Sequence, residues 1–214
     1  MDWKDIKPLT ETEALSVVSN YFYNHKFIPK RIDTNNIPEG QHSPDLTCAQ
    51  NDKDIFFCEV KTPSHIFNEE LGLYTWNTAF NKLRSHMHTA VKQFKDADIR
   101  HSLPRVVAFT SNHPQLNWTH LQHNILGAVK YGDKILKDFR GKTFVADTNK
   151  DINAIDIFLW FQVNYINRNS IVELAIYQNC DSQVGKMVDE LVPKLTPYKN
   201  ENIQTPRYSA LSRQ

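Results

Sequence analysis

Apolar residues recur along this chain with two periods, and the switches between them divide it into helices and strands. Over residues 10–26, Ala14, Leu15, Val18, Tyr21 and Phe22 follow helical spacing. Thr10 stands before them with Glu13 three residues on, the capping-box pattern that opens a helix. FIPKRID (27–33) reads as a strand, and TNNIPEGQHSP (34–44) is too rich in turn formers to continue it. DLTCAQ (45–50) and IFFCEVK (55–61) flank the polar turn NDKD and predict a hairpin. Phe80, Leu83, Met87, Ala90, Val91 and Phe94 mark a second amphipathic helix over residues 78–97. RVVAFTS (105–111) is almost wholly apolar, the pattern of a strand covered on both faces. Further on, WTHLQHNILGAV (118–129) predicts a helix, IDIFLWFQVNY (155–165) a strand and QVGKMVDELVPKL (183–195) a last helix. The order implies an α/β domain with helices packed on a central sheet. No internal repeat is present; residues 1–195 read as a single domain and residues 196–214 as a flexible tail.

Composition bounds the functions open to such a domain. With 214 residues, 40% hydrophobic and 23% charged, the chain has material for one sizeable core. Its 25 Lys and Arg against 24 Asp and Glu give a net charge of +1, so any nucleic-acid contact must come from local patches. No run of about 18 apolar residues predicts a membrane span. MDWKDIKPLTETEAL lacks the apolar stretch of a secretory signal, which points to the cytoplasm. Cys48, Cys58 and Cys180 have no metal-ligand spacing and read as small apolar core residues. His86 with His88, and His120 with His123, are spaced for zinc but have no third and fourth ligand nearby.

The chemistry concentrates in the predicted hairpin. Alternation places Phe56, Cys58 and Val60 on one face of IFFCEVK and Phe57, Glu59 and Lys61 on the other. Pairing about the NDKD turn brings Asp45 close to Glu59 and Val60, at the same end of the two strands. Two carboxylates this close repel each other unless a cation intervenes, and hard oxygen donors suit magnesium or manganese. The Lys61 ammonium can hold or polarise a water beside such an ion. Carboxylate pair, divalent cation and ammonium together suit attack of water on a phosphodiester.

Pro44-Asp45, thirteen intervening residues and Glu59-Val60-Lys61 resemble the motif of the PD-(D/E)XK nuclease superfamily. The order of elements over about residues 10–112 also resembles the restriction-endonuclease-like core, which implies a central mixed sheet of about four to five strands flanked by helices. The resemblance implies that Asp45, Glu59 and the Val60 carbonyl hold Mg2+, with Mn2+ able to substitute, and that Lys61 positions or activates the attacking water. Cleavage would then leave a 5′-phosphate. Many members add an acid from the first helix; at 100° per residue Glu11 lies in line with Leu15, Val18 and Phe22, while Glu13 is explained by the cap. On the second helix, Lys82, Arg84, Lys92 and Lys95 offer a basic face for a phosphate backbone, and Gln93 falls where related nucleases carry a glutamine. The expectation is a magnesium-dependent DNA endonuclease; a homodimer is one arrangement, since two subunits most easily cut both strands, and a partner protein that supplies targeting is another. A non-catalytic DNA-binding or assembly subunit of the same fold is the alternative.

Overall fold

The computed structural model describes residues 6–33, 37–63, 76–131, 134–138, 150–164, 170–177, 183–195 and 207–208. Its first helix, α1 (Glu11–Asn24), begins where the capping box places it: the Glu13 backbone N–H donates to the Thr10 hydroxyl, and the Thr10 N–H donates back to the Glu13 carboxylate at 2.8 Å. Three strands follow, β1 (Ile28–Arg31), β2 (Leu46–Gln50) and β3 (Lys53–Lys61). Only Asn51 and Asp52 separate β2 from β3, and both have positive φ, 53° and 58°. That is the signature of a two-residue type I′ turn, whose twist matches the flanking strands, and Asn and Asp tolerate the left-handed region better than other side chains. β1 is four residues long and carries Pro29 at the sheet edge, where a missing N–H does no harm.

The chain then forms α2 (Trp76–Ala97), β4 (Arg105–Ser111), α3 (Trp118–Leu126), a hairpin of β5 (Ala128–Tyr131) and β6 (Lys134–Asp138), β7 (Ile157–Val163), β8 (Ser170–Tyr177), α4 (Gln183–Leu195) and the two-residue β9 (Arg207–Tyr208). The main sheet is mixed and open, in the order β1-β2-β3-β4-β7-β8-β9. β1, β2, β3, β4 and β7 are its first five strands, and β8 with β9 extends the far edge. β3, β4 and β7 run parallel to one another, whereas β1, β2 and β8 pair antiparallel.

Both faces of the sheet are covered. Leu15, Val18 and Phe22 of α1 and Val188 and Leu191 of α4 pack on the face made by Cys48, Phe56, Cys58, Val106 and Ala108. Leu83, Met87 and Phe94 of α2 and Leu121 and Ile125 of α3 pack on the other, against Val107, Phe109, Phe158 and Trp160. Successive residues of β4 thus enter opposite cores, which is why its sequence is apolar without alternation. Cys48 and Cys58 are wholly buried free thiols, as expected of small core residues. Cys180 lies outside the described residues, as does the expected tail apart from Arg207 and Tyr208, which pair with β8.

Two expectations need correction. The helix expected through residue 129 stops at Leu126, because Gly127 takes φ +67° as a left-handed cap and Ala128 and Val129 open β5. The strand at 170–177 and the β5–β6 hairpin have no counterpart in the expected element order.

Candidate active site

The site arises from unequal strand lengths. β2 pairs with β3 only as far as Leu46 opposite Cys58, so Glu59, Val60 and Lys61 run on beyond the end of their neighbour. Asp45 turns back into the gap: its own N–H donates to Glu59 Oε2 at 3.0 Å, and its Oδ2 accepts the Val60 N–H at 2.8 Å. In an extended strand the N–H and C=O of one residue lie along the same edge, so the Val60 carbonyl faces this gap too. Pro8, Leu9, Glu11 and Ala14 close the far wall, giving a cleft of about 420 Å3 that is also lined by Asp45, Glu59, Val60, Lys61 and Thr62.

On the other side of β3, α2 braces the ammonium. Lys61 Nζ donates to Glu59 Oε1 at 2.5 Å and to Gln93 Oε1 at 3.0 Å. Gln93 Nε2 in turn donates to the Ser43 carbonyl at 3.0 Å. One residue earlier, the His42 N–H donates to Asp96 Oδ2 at 3.0 Å. The loop that delivers Asp45 is therefore tied to the helix that holds Lys61. Gln93, expected at a DNA-contacting surface, is placed inside the site as this tie. Ser43 and Asp96 carry no sequence signal of their own, because their roles depend on a tertiary contact.

Burial sets the electrostatics. Glu59 is only 2% exposed and the Lys61 side chain 12%. Burial lifts the Glu59 carboxyl to about 7; the Lys61 charge opposes the rise and the Asp45 charge adds to it. Asp45 is raised as well, again by burial, against the pull of the Val60 N–H and of Lys61. Two carboxyls, one buried and one half-buried, share a single ammonium, and each is held less readily ionised than in water.

The donor set is small. Among the described residues no group of three or more His, Cys, Asp and Glu side chains is arranged to hold a metal. Magnesium suits one or two carboxylates, keeping water or substrate oxygens in its remaining positions, so Asp45, Glu59 and the Val60 carbonyl fit it. Glu11 lines the cleft but is 74% exposed, and its Oε1 accepts from Arg31 Nη2 at 3.1 Å.

The expected DNA-contacting residues divide. Lys92 and Lys95 are exposed on α2. Arg84 is half-buried, with its guanidinium 5.1 Å from the Phe80 ring centroid, and Lys82 is half-buried near His86. His86 and His88 point apart: His86 packs toward Phe109 of β4, whereas His88 is exposed beside Asp151 at 3.0 Å. No helix among the described residues is long and apolar enough to cross a membrane. No protein-family model, curated protein or solved structure matches the chain.

Proposed function

We propose that the protein is a metal-dependent DNA endonuclease that hydrolyses phosphodiester bonds in the cleft at the end of β3. The observation that carries this reading is the convergence of the Asp45 and Glu59 carboxylates, the Val60 carbonyl edge and the Lys61 ammonium where β3 overhangs β2. Mg2+, held by Asp45, Glu59 and the Val60 carbonyl, would polarise the phosphate and lower the pKa of a bound water. Lys61, fixed by Gln93 and Glu59, holds that water and balances charge developing on the phosphate oxygens. Asp45 keeps the β3 backbone in register with the site through the Val60 N–H. Water oxygen would bond to phosphorus as its proton passes to solvent, the bond to the 3′-oxygen would break with that oxygen taking a proton from water, and a 3′-hydroxyl and a 5′-phosphate would remain.

One observation favours the alternative of a non-catalytic subunit with the same fold: the Lys61 ammonium and both Glu59 oxygens already have protein partners. Cleavage of plasmid and branched DNA by wild type and Lys61→Ala, with Mg2+, with Mn2+ and with EDTA, separates the two. Metal-dependent cutting that disappears in the variant supports the nuclease. Binding without cutting under any metal transfers the weight to the subunit.

A further inference from the structure

Arg31 and Glu11 form an ion pair at the mouth of the cleft, and it is poorly placed to stabilise the fold. Both side chains are mostly exposed, 68% and 74%, where water screens such a pair and it adds little to stability. Arg31 ends β1 opposite Leu46, and the next backbone N–H, that of Ile32, donates to the Asp45 carbonyl at 3.1 Å. Sheet pairing thus seats Arg31 beside the residue that enters the cleft, while Glu11 lines the cleft from the start of α1. The guanidinium gives one Nη2 donor to Glu11. An arginine has five donors in a planar fork, so the geometry leaves others for an anion.

We infer that Arg31 is a substrate-binding residue beside the cleft, which its partner Glu11 lines, taking a DNA backbone phosphate next to the scissile one, and that Glu11 is the positioning residue that aims its guanidinium. This rests on the proposed nuclease reading for the identity of the anion. Lys61 lies on the α2 side of β3 and Arg31 on the β1 side, so a strand laid over the Asp45–Glu59 carboxylates meets a cation on each flank. A phosphodiester approaching the buried Glu59 and half-buried Asp45 carboxylates is repelled by them, and an arginine at the rim offsets that repulsion where the backbone enters. Glu11 serves this arrangement through its contact with Arg31.

The test is DNA binding measured by fluorescence anisotropy across a salt series, with Ca2+ present in place of Mg2+. Arg31→Gln is expected to weaken binding about 5- to 10-fold and to lower the slope of log affinity against log salt by about 1, the signature of one lost phosphate contact. Arg31→Lys keeps the charge but not the fork, and is expected to restore the slope with only part of the affinity. Glu11→Ala is expected to weaken binding less than Arg31→Gln, whereas Glu11→Gln, which keeps the acceptor, stays within about twofold of wild type. Wild-type affinity and slope in Arg31→Gln overturn the assignment, and so does a wild type that binds no DNA. The result is separable from the reaction itself: if wild type binds with an Arg31-dependent slope but never cuts, the nuclease reading fails and the Arg31 contact stands. Cutting abolished by Lys61→Ala but binding untouched by Arg31→Gln gives the reverse.

Discussion

The Asp45 carboxylate accepts the Val60 backbone N–H at 2.8 Å, so a side chain completes the hydrogen-bond ladder where β2 has ended. This gives Asp45 two separable duties, one to the strand and one to the site. Asp45→Asn retains an acceptor for Val60 and should lie within about 1 kcal/mol of wild-type stability, whereas Asp45→Ala should lose about 1 kcal/mol more. Both variants lack the charge and, on the proposed nuclease reading, should cut DNA at least about 100-fold more slowly, since a metal bound there would lose one of its two carboxylates. Urea unfolding read beside a cleavage assay checks both halves. Cutting at the wild-type rate by Asp45→Asn would remove Asp45 from the chemistry.

Lys61 and Glu59 are a buried pair whose members depend on each other unequally. Replacing Lys61 with Met leaves the Glu59 carboxylate, 2% exposed, without its counter-ion. Breaking such a pair costs about 3–5 kcal/mol in a closed interior, but the freed Glu59 carboxyl, already raised to about 7, can take up a proton, so about 2 kcal/mol is expected near pH 8.5 and less at neutral pH. In the double variant Glu59→Gln/Lys61→Met no charge is stranded, so much of that stability should return while cleavage does not. A double variant as unstable as Lys61→Met alone would show that packing, and not charge, sets the loss.

The same burial makes metal-free stability depend on pH. The Glu59 carboxyl is raised from 4.5 to about 7 in the fold, so the folded state holds its proton more tightly than the unfolded chain does. The contribution is full below about pH 4.5 and is lost as pH rises through 7. In EDTA, wild type should lose up to about 3 kcal/mol relative to Glu59→Gln between those limits. Adding Mg2+ at pH 7.5 should raise the melting temperature of wild type and leave that of Glu59→Gln nearly unmoved. Equal metal shifts in the two proteins argue that the ion binds elsewhere.

Local rules make part of this legible from the sequence. The α1 capping box follows from spacing alone, and pairing about the polar NDKD stretch is enough to bring Asp45 close to Glu59 and Val60; the register itself is not legible, because the turn is only Asn51-Asp52 and a shift between Cys48 and Ala49 sets the pairing that follows. The direction of Glu11 is harder to read. Projection at 100° per residue aims it at the sheet, but a residue in the first turn has no preceding turn to confine it, and its side chain reaches Arg31 on β1. Sequence alone leaves Gln93 on the surface for a similar reason: its partners, Lys61 and Ser43, are 32 and 50 residues away. β8 is legible in principle: SIVELAIY (170–177) follows a stretch holding Asn164, Asn167 and Asn169, turn formers between two apolar runs, and it pairs antiparallel with the strand before it, but an element order that stops its strand at Tyr165 passes over it.

Gln93 connects Lys61 to the Ser43 carbonyl, and hence to the loop that carries Asp45. Gln93→Ala should leave the ammonium held by Glu59 alone and the loop held mainly by the His42–Asp96 contact. A drop in kcat of about 10-fold, with little change in the affinity for DNA, is the expected outcome for a residue that orients a reacting group. Gln93→Glu accepts from Lys61 but cannot donate to Ser43, so it should recover less than half of the loss in energy terms. An equal effect on binding and on kcat would instead place Gln93 in contact with the substrate.

His86 is expected to limit stability in acid. Its Nε2 is buried without a hydrogen-bond partner, its ring packs toward Phe109, and Lys61 and Lys82 both lie close enough to oppose a second positive charge. Burial, with those two lysines adding to it, lowers its pKa from 6.5 to about 4. The neutral form is the one the fold prefers, so its contribution is complete above pH 6.5 and is lost as pH falls toward 4. His86→Leu removes both the titration and the unpartnered nitrogen. Near pH 8 it should match or exceed wild type, because an apolar group of similar size replaces an unsatisfied polar one. Between pH 6.5 and 4 its advantage should widen by about 2 kcal/mol, part of the full shift because the imidazole is incompletely buried. Thermal melts of both proteins at pH 8, 6 and 4.5 measure the difference directly; a gap that stays constant across the three would mean that His86 does not titrate as a buried neutral imidazole.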